Sequence, residues 1–171
     1  ENKVFKPLTT MFERHVKVFE QLGFSVDLSN PLFPKKAILD QEVIDIIGEN
    51  NQKLIGIAPF AQYDSKVYPL DLMQEVIDTL ALDQNNKILL FGGGKKEIEI
   101  LNTISSGKEN VINMAGKIKF PQELQLISNL DVMLSMDSGN AHIAAMLGVK
   151  VITLWGATHP YAGFSPFNQP L

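Results

Sequence analysis

The sequence contains no cysteine and only one tryptophan among its 171 residues. The absence of cysteine excludes disulfide bonds, thiolate catalysis and cysteine-ligated zinc, and it leaves the cellular compartment open. The three histidines, His15, His142 and His159, do not have the spacing of metal ligands. We therefore expect a fold that is held by hydrophobic burial, with no bound metal.

A long apolar run and a surplus of positive charge are also lacking. No stretch approaches the roughly 20 apolar residues that a membrane-spanning helix needs, and the first residues have no signal-peptide pattern. The net charge of −4 argues against a nucleic-acid partner. A hydrophobic fraction of 45% and a charged fraction of 20% are those of an ordinary soluble globular protein.

The pattern of apolar residues changes near residue 50. Before it, spacings of three and four predict a helix over 9–22, and a second short helix is predicted over 40–48. Residues 24–39 contain two prolines and predict a connector with room for one short strand. After it, five apolar runs alternate with amphipathic helices, and they predict strands over 54–58, 87–91, 111–114, 131–135 and 149–155.

This alternation predicts an α/β fold, a doubly wound parallel sheet with right-handed crossovers. The expected strand order is 3-2-1-4-5, so the switch point lies between the first and fourth strands. Open parallel sheets bind ligands at the carboxyl edge of their strands, at such a point.

The elbow Asp137-Ser138-Gly139, between the fourth strand and the next helix, is the most informative stretch. Free amides and the positive dipole end of a helix favour a phosphate group, and Gly139 permits close approach of a ligand. Alternatively, Asp137 and Ser138 only cap the helix. His142 either hydrogen-bonds the elbow, faces a phosphate or is a structural histidine. No Gly-x-Ser-x-Gly sequence is present, which argues against a hydrolase.

Two other loops at the same predicted edge suit a nucleotide. The run Gly92-Gly93-Gly94 permits a phosphate, but no Gly-Lys-Ser/Thr follows at the Walker spacing and the dinucleotide fingerprint is incomplete. Glu97 either accepts hydrogen bonds from a ribose or is an acidic residue of a first helical turn. Lys66, after the first strand, either binds a pyrophosphate or is a solvated lysine.

Residues 136–145 (Met-Asp-Ser-Gly-Asn-Ala-His-Ile-Ala-Ala) and 154–160 (Leu-Trp-Gly-Ala-Thr-His-Pro) carry a signature. It resembles that of glycosyltransferase family 9, the ADP-heptose:lipopolysaccharide heptosyltransferases. Residues 55–69, 91–93 and 113–117 are similar, in order, to upstream segments of the same family. The resemblance covers roughly residues 50 to 168.

The resemblance implies the C-terminal half of a GT-B fold, in which two Rossmann-like domains face each other across a cleft. Residues 1–50 would be an interdomain helix and linker segment, and residues 51–171 the donor-binding domain. The N-terminal acceptor domain would lie outside this sequence, and the absence of an initiator methionine agrees with an excised or processed chain.

The implied activity is inverting transfer of heptose, or a related sugar, from an ADP-heptose-like donor to a lipopolysaccharide core acceptor. No metal or other cofactor would be required, and the partners would be the donor, the acceptor and the protein's own N-terminal domain. The implied location is cytoplasmic, peripheral at the inner face of the bacterial inner membrane. A GT-B nucleotide-sugar epimerase and a non-catalytic nucleotide-binding module remain as alternatives.

The site residues implied by the resemblance all bind the donor, and none is catalytic. Diphosphate and sugar would be held by Lys66 and the elbow, the ribose by Glu97 and the adenine by Met114. The full implied set is Lys66, Gly92, Glu97, Met114, Asp137, Ser138, Gly139 and His142. The family's base is an aspartate of the N-terminal domain, so the isolated chain would be inactive.

Two positions depart from the family pattern, and both lie in the predicted donor loop. Phe60-Ala61 stands where the family has Gly-Ala, and Tyr68 stands where it has tryptophan. The identity of the transferred sugar is therefore left open.

Overall fold

The five predicted strands form one parallel sheet in a computed structural model that describes residues 6–48 and 51–169. The strands are β1 (Lys53–Ala58), β2 (Asn86–Leu90), β3 (Val111–Asn113), β4 (Val132–Met136) and β5 (Lys150–Leu154). Their order is β3-β2-β1-β4-β5, and every neighbouring pair is parallel. The predicted fold class and strand order are confirmed.

Six α-helices occur in the described ranges, namely α1 (Met11–Gln21), α2 (Gln41–Ile47), α3 (Leu70–Ala81), α4 (Gly94–Ser105), α5 (Phe120–Ser128) and α6 (Gly139–Met146). Within those ranges, none of the helices has both the length and the apolar character needed to cross a bilayer. Residues 24–39 form no strand, so that part of the prediction is wrong. The end of this segment pairs with α5 and not with a sheet edge, since the Ala37 amide donates to Ser128 Oγ at 3.0 Å.

Successive strand residues point to opposite faces of the sheet, which creates two cores. One face packs against α3 and α4, and its buried side chains include Ile55, Ile57, Met73, Ile77, Ile88, Leu90, Leu101 and Ile104. The other face packs against α2, α5 and α6, through Val43, Ile47, Leu54, Leu89, Phe91, Leu126, Ile127 and Ala144. Burial on both faces is the reason why the strands read as continuous apolar runs.

The part of the chain before β1 is attached to the sheet domain at both of its helices. Helix α2 contributes to the core, and the buried Lys87 side chain donates to the carbonyl of Ile47. Burial lowers the pKa of that lysine. Helix α1 lies against the last described segment, where the rings of Phe12 and Phe167 meet edge to face at 5.1 Å. Part of the apolar face of α1 remains uncovered, since 51% of Phe19 is exposed.

Candidate functional site

The carboxyl ends of β1, β4 and β5 bring three loops together at the switch point of the sheet. The loop after β1 contains a short 3-10 turn, Asp64–Lys66. The elbow joins β4 to α6, and residues 155–158 follow β5. Since β1 and β4 are hydrogen-bonded neighbours, residues far apart in sequence meet here.

At the elbow, Ser138 occupies the N-cap position of α6 with φ −147° and ψ 171°, but its side chain makes no capping hydrogen bond. Its Oγ lies 3.0 Å from Ser135 Oγ. The amides of Ser138, Gly139 and Asn140 make no hydrogen bond within the described ranges. The capping alternative is therefore not supported, and the amides are available to an anion at the positive end of the helix dipole.

The Asp137 carboxylate holds the three loops together through one oxygen. Lys66 Nζ and Thr158 Oγ1 both lie 2.8 Å from Asp137 Oδ2. Asp137 is buried, with 7% of the residue exposed, whereas the Lys66 side chain remains 24% exposed. Lys66 is therefore no freely solvated lysine, because the elbow holds its ammonium group at the carboxyl edge.

A glycine allows the loop after β5 to approach the loop of Lys66. A Cβ added at Gly156 would lie 2.5 Å from the carbonyl oxygen of Ser65 and 2.9 Å from Cα of Lys66. The Ala157 amide donates to the same Ser65 carbonyl at 2.9 Å. Gly156 therefore sets the distance at which Thr158 reaches Asp137.

His142 is half-buried in the first turns of α6. Burial lowers the pKa of its imidazole below the usual value of 6.5; the negative charge of Asp137 opposes this shift and the positive charge of Lys66 adds to it. The side chain makes no hydrogen bond to another described residue. It therefore stands beside the charged pair as a neutral ring that could accept or donate one hydrogen bond.

The loop after β2 is closed by Glu97, whose Oε2 accepts a hydrogen bond from the Gly93 amide at 2.7 Å. This carboxylate thus binds an amide at the N-terminus of its own helix, α4. The contact agrees with the prediction of an acidic residue in a first helical turn. Gly92 is tightly packed, because an added Cβ would lie 3.1 Å from Glu97 Oε2 and 3.2 Å from Phe60 Cδ2.

A cavity of about 290 Å³, which we name the elbow cavity, lies between these loops. Four predicted donor residues line it, namely Gly92, Glu97, Ser138 and Gly139. Its wall also contains Ala58, Phe60, Ala61, Gln62, Phe91, Gly93, Glu123 and Asn140. A larger hollow of about 500 Å³, around Asp78 and Lys108, lies at the amino edge of the sheet and is remote from the elbow.

Met114, Tyr68 and the pair Phe60-Ala61 have different surroundings. Met114 is a core residue with 1% exposed, and it does not line the elbow cavity. Its contact with an adenine stays a prediction. Tyr68 packs against the core, whereas Phe60 and Ala61 form cavity wall. Of the two departures from the family pattern, the one at residues 60–61 therefore lines the elbow cavity.

Two residues of the site were absent from the prediction. Thr158 follows Gly156-Ala157 at the end of the fifth strand, and its position in that loop was a usable signal. Glu123 lies in α5 and lines the elbow cavity, but in sequence it resembles any solvated helical glutamate. No group of three or more metal-ligating side chains is found in residues 6–48 and 51–169. The need for a metal stays untested.

Comparisons with known proteins agree with the signature. A family model described as glycosyltransferase family 9 (heptosyltransferase) matches residues 1–169. Lipopolysaccharide heptosyltransferase 3 of Escherichia coli strain K12 is 28% identical over 155 residues, which cover 88% of this chain and 45% of that protein.

Two solved structures are similar in fold. The E. coli ADP-heptose lps heptosyltransferase II superposes with a TM-score of 0.71 at 22% identity, over 95% of this chain and 53% of that one. A glycosyl transferase family 9 protein from Veillonella parvula superposes with a TM-score of 0.77 at 22% identity, over 98% of this chain and 50% of that one. The chain spans about half the length of these relatives.

Proposed function

The chain belongs to glycosyltransferase family 9, and we propose that it is the donor-binding part of an inverting glycosyltransferase. The donor would be ADP-heptose or a related nucleotide sugar, and the acceptor a lipopolysaccharide core. The observation that carries the proposal is the junction of Lys66 with the elbow, beside the free amides of α6. The names of relatives, which include an ADP-heptose lps heptosyltransferase, support this choice of donor and acceptor.

In the proposed complex, the diphosphate lies against the amides of Ser138, Gly139 and Asn140. Lys66, held by Asp137, supplies a positive charge near the same place. When the sugar leaves, the bond between its anomeric carbon and the diphosphate oxygen breaks, and negative charge grows on that oxygen. Preorganised amides, a cation and the helix dipole stabilise such charge, so we assign no metal ion to this step.

The other half of the reaction concerns the acceptor. Its hydroxyl oxygen forms a bond to the anomeric carbon from the opposite face, and its proton passes to a general base. We propose that the base and the acceptor site belong to an N-terminal domain of the same protein, to which residues 1–50 lead. In this arrangement the present chain binds the donor but transfers no sugar alone. The reaction would take place at the cytoplasmic face of the inner membrane, with the enzyme bound peripherally.

Isothermal titration of this chain with ADP tests the donor site. We expect wild-type protein to bind ADP and the Lys66→Met variant to bind it at least about tenfold more weakly. Absence of ADP binding, or equal binding by the two proteins, would contradict the proposal.

A second assay separates transfer from epimerisation. The full-length protein is incubated with ADP-heptose, with and without heptose-deficient lipopolysaccharide, and the sugars are followed by NMR. We expect consumption of the donor only when acceptor is present. Conversion of the donor sugar without acceptor would instead identify an epimerase.

A further inference from the structure

We propose that Glu123 is a specificity-determining residue for the donor, and that its carboxylate accepts a hydrogen bond from a hydroxyl group of the nucleotide sugar. The inference rests on the proposed function, because it assumes that the donor occupies the elbow cavity. It concerns a residue of α5 that lies outside the signature segments.

The first observation is the position of Glu123 in the cavity wall. It lines the elbow cavity together with Ser138, Gly139 and Glu97. Phe60, which departs from the family pattern, belongs to the same wall. A group on Glu123 therefore faces the same space as the amides assigned to the diphosphate.

The second observation is that the Glu123 carboxylate has no partner in the described part of the chain. Its side chain makes no hydrogen bond or ion pair there, and burial alone raises the pKa of its carboxyl group. The other two carboxylates of the site already have partners: Glu97 accepts from the Gly93 amide, and Asp137 accepts from Lys66 and Thr158. The side chain is half-buried, and no buried side-chain oxygen among the described residues lacks a partner, so the Glu123 oxygens remain accessible, and the residue lines the elbow cavity.

A half-buried carboxylate without a partner has lost part of its hydration, and no hydrogen bond or ion pair compensates for that loss. A ligand that donates a hydrogen bond to it would restore that interaction, and hydrogen bonds to charged groups are among the stronger ones. The group is thus poised for a ligand, and its raised proton affinity is what unpaired burial predicts.

The chemistry of the donor decides which of its parts can lie there. Phosphate oxygens are negatively charged acceptors, so Glu123 repels them and directs the diphosphate towards Lys66 and the elbow amides. The hydroxyl groups are neutral donors and suit a carboxylate. A nucleotide sugar carries hydroxyls on its ribose and on the transferred sugar, and the same chemistry could come from either source.

The test is a titration series on this chain, with wild type, Glu123→Leu and Glu123→Gln. The matched control is Glu75→Gln, an exposed glutamate of α3. The ligands are ADP, ADP-heptose and 2′,3′-dideoxy-ADP. We expect Glu123→Leu to bind the hydroxyl-bearing ligand about tenfold more weakly or worse, and Glu123→Gln, which keeps an acceptor, to lose less. The control should bind like wild type.

A comparison of the three ligands identifies the part of the donor that carries the hydroxyl group. An equal loss with ADP and ADP-heptose that vanishes with dideoxy-ADP assigns Glu123 to the ribose. A loss confined to ADP-heptose assigns it to the transferred sugar. Wild-type affinity of Glu123→Leu for every ligand would overturn this inference and leave the proposed function intact. Failure of the wild-type chain to bind ADP would overturn both. Thermal melts with and without ligand confirm that each variant is folded.

Discussion

Lys66 Nζ and Asp137 Oδ2 lie 2.8 Å apart, although 71 positions separate the two residues in sequence. The cation of the loop after β1 and the elbow after β4 therefore form one unit. Thr158, from the loop after β5, donates to the same oxygen. A buried carboxylate with two donors, one of which also neutralises its charge, is a stable arrangement only while both donors remain.

Loss of the Lys66 charge should weaken nucleotide binding more than loss of a surface lysine does. We expect Lys66→Met to raise the dissociation constant for ADP by about 10- to 100-fold, because a charge-assisted contact to phosphate is removed. Calorimetry provides the measurement. Lys53→Met, at the amino end of β1 and exposed, is the matched control and should bind normally. Similar affinities for the two variants would contradict the role of Lys66.

Removal of the Thr158 hydroxyl should destabilise the fold itself. In Thr158→Val the Asp137 carboxylate loses one of its two donors, so we expect the free energy of unfolding to fall by about 1–3 kcal/mol. Urea denaturation measures this. Thr103→Val, an exposed helical threonine that donates to the Glu99 carbonyl, is the control and should change by less than about 0.5 kcal/mol. Equal effects of the two substitutions would argue against the network.

The approach of the β5 loop to the Lys66 loop should not tolerate a side chain at Gly156. A methyl group there meets backbone, the Ser65 carbonyl oxygen at 2.5 Å, so one loop has to move. We expect Gly156→Ala to lower the free energy of unfolding by about 1–3 kcal/mol and to weaken ADP binding as Lys66 shifts. Unchanged urea denaturation and ADP titration would contradict this account of the loop contact.

Gly139→Ala should weaken ADP binding and leave the stability of the fold nearly unchanged. A Cβ at this position meets no atom within 4 Å, so we expect little change in the free energy of unfolding. The methyl group would nevertheless stand at the N-terminus of α6, where the diphosphate is proposed to approach the amides. Weaker ADP binding with an unchanged melting temperature is the expected result. Normal binding would place the phosphate elsewhere.

His142 should make stability depend on pH. Its pKa is lowered in the folded protein from an ordinary value of 6.5, mainly by burial, so the unfolded chain binds the proton more readily. The stabilising contribution of the neutral ring is therefore fully present above 6.5 and is lost as pH falls towards the folded pKa. Urea denaturation between about pH 7.5 and pH 5 should give a flatter profile for His142→Gln than for wild type. Parallel profiles would exclude this effect.

Periodicity and strand chemistry were sufficient to predict all five strands to within one residue at each end. They failed for residues 24–39, where Ala37 gains its hydrogen-bond partner from α5, which a local pattern does not reveal. The sequence pattern also could not show that Met114 is covered by the core. An apolar residue after a short strand can either be buried in the core or line a binding site. Burial of such a residue depends on neighbours that are distant in sequence.

The amino-acid sequence alone determines that five parallel strands alternate with helices and that the elbow lies at the carboxyl edge of their sheet. Both follow from local apolar patterns and from the restricted handedness of crossover connections. Only the tertiary structure decides that Asp137 binds Lys66 and Thr158 and does not cap α6, and that Glu123 faces the cavity without a partner. The physical reason is that a side chain finds its partners through the close packing of separate loops. Here that packing depends on the space left by the missing Cβ of Gly156.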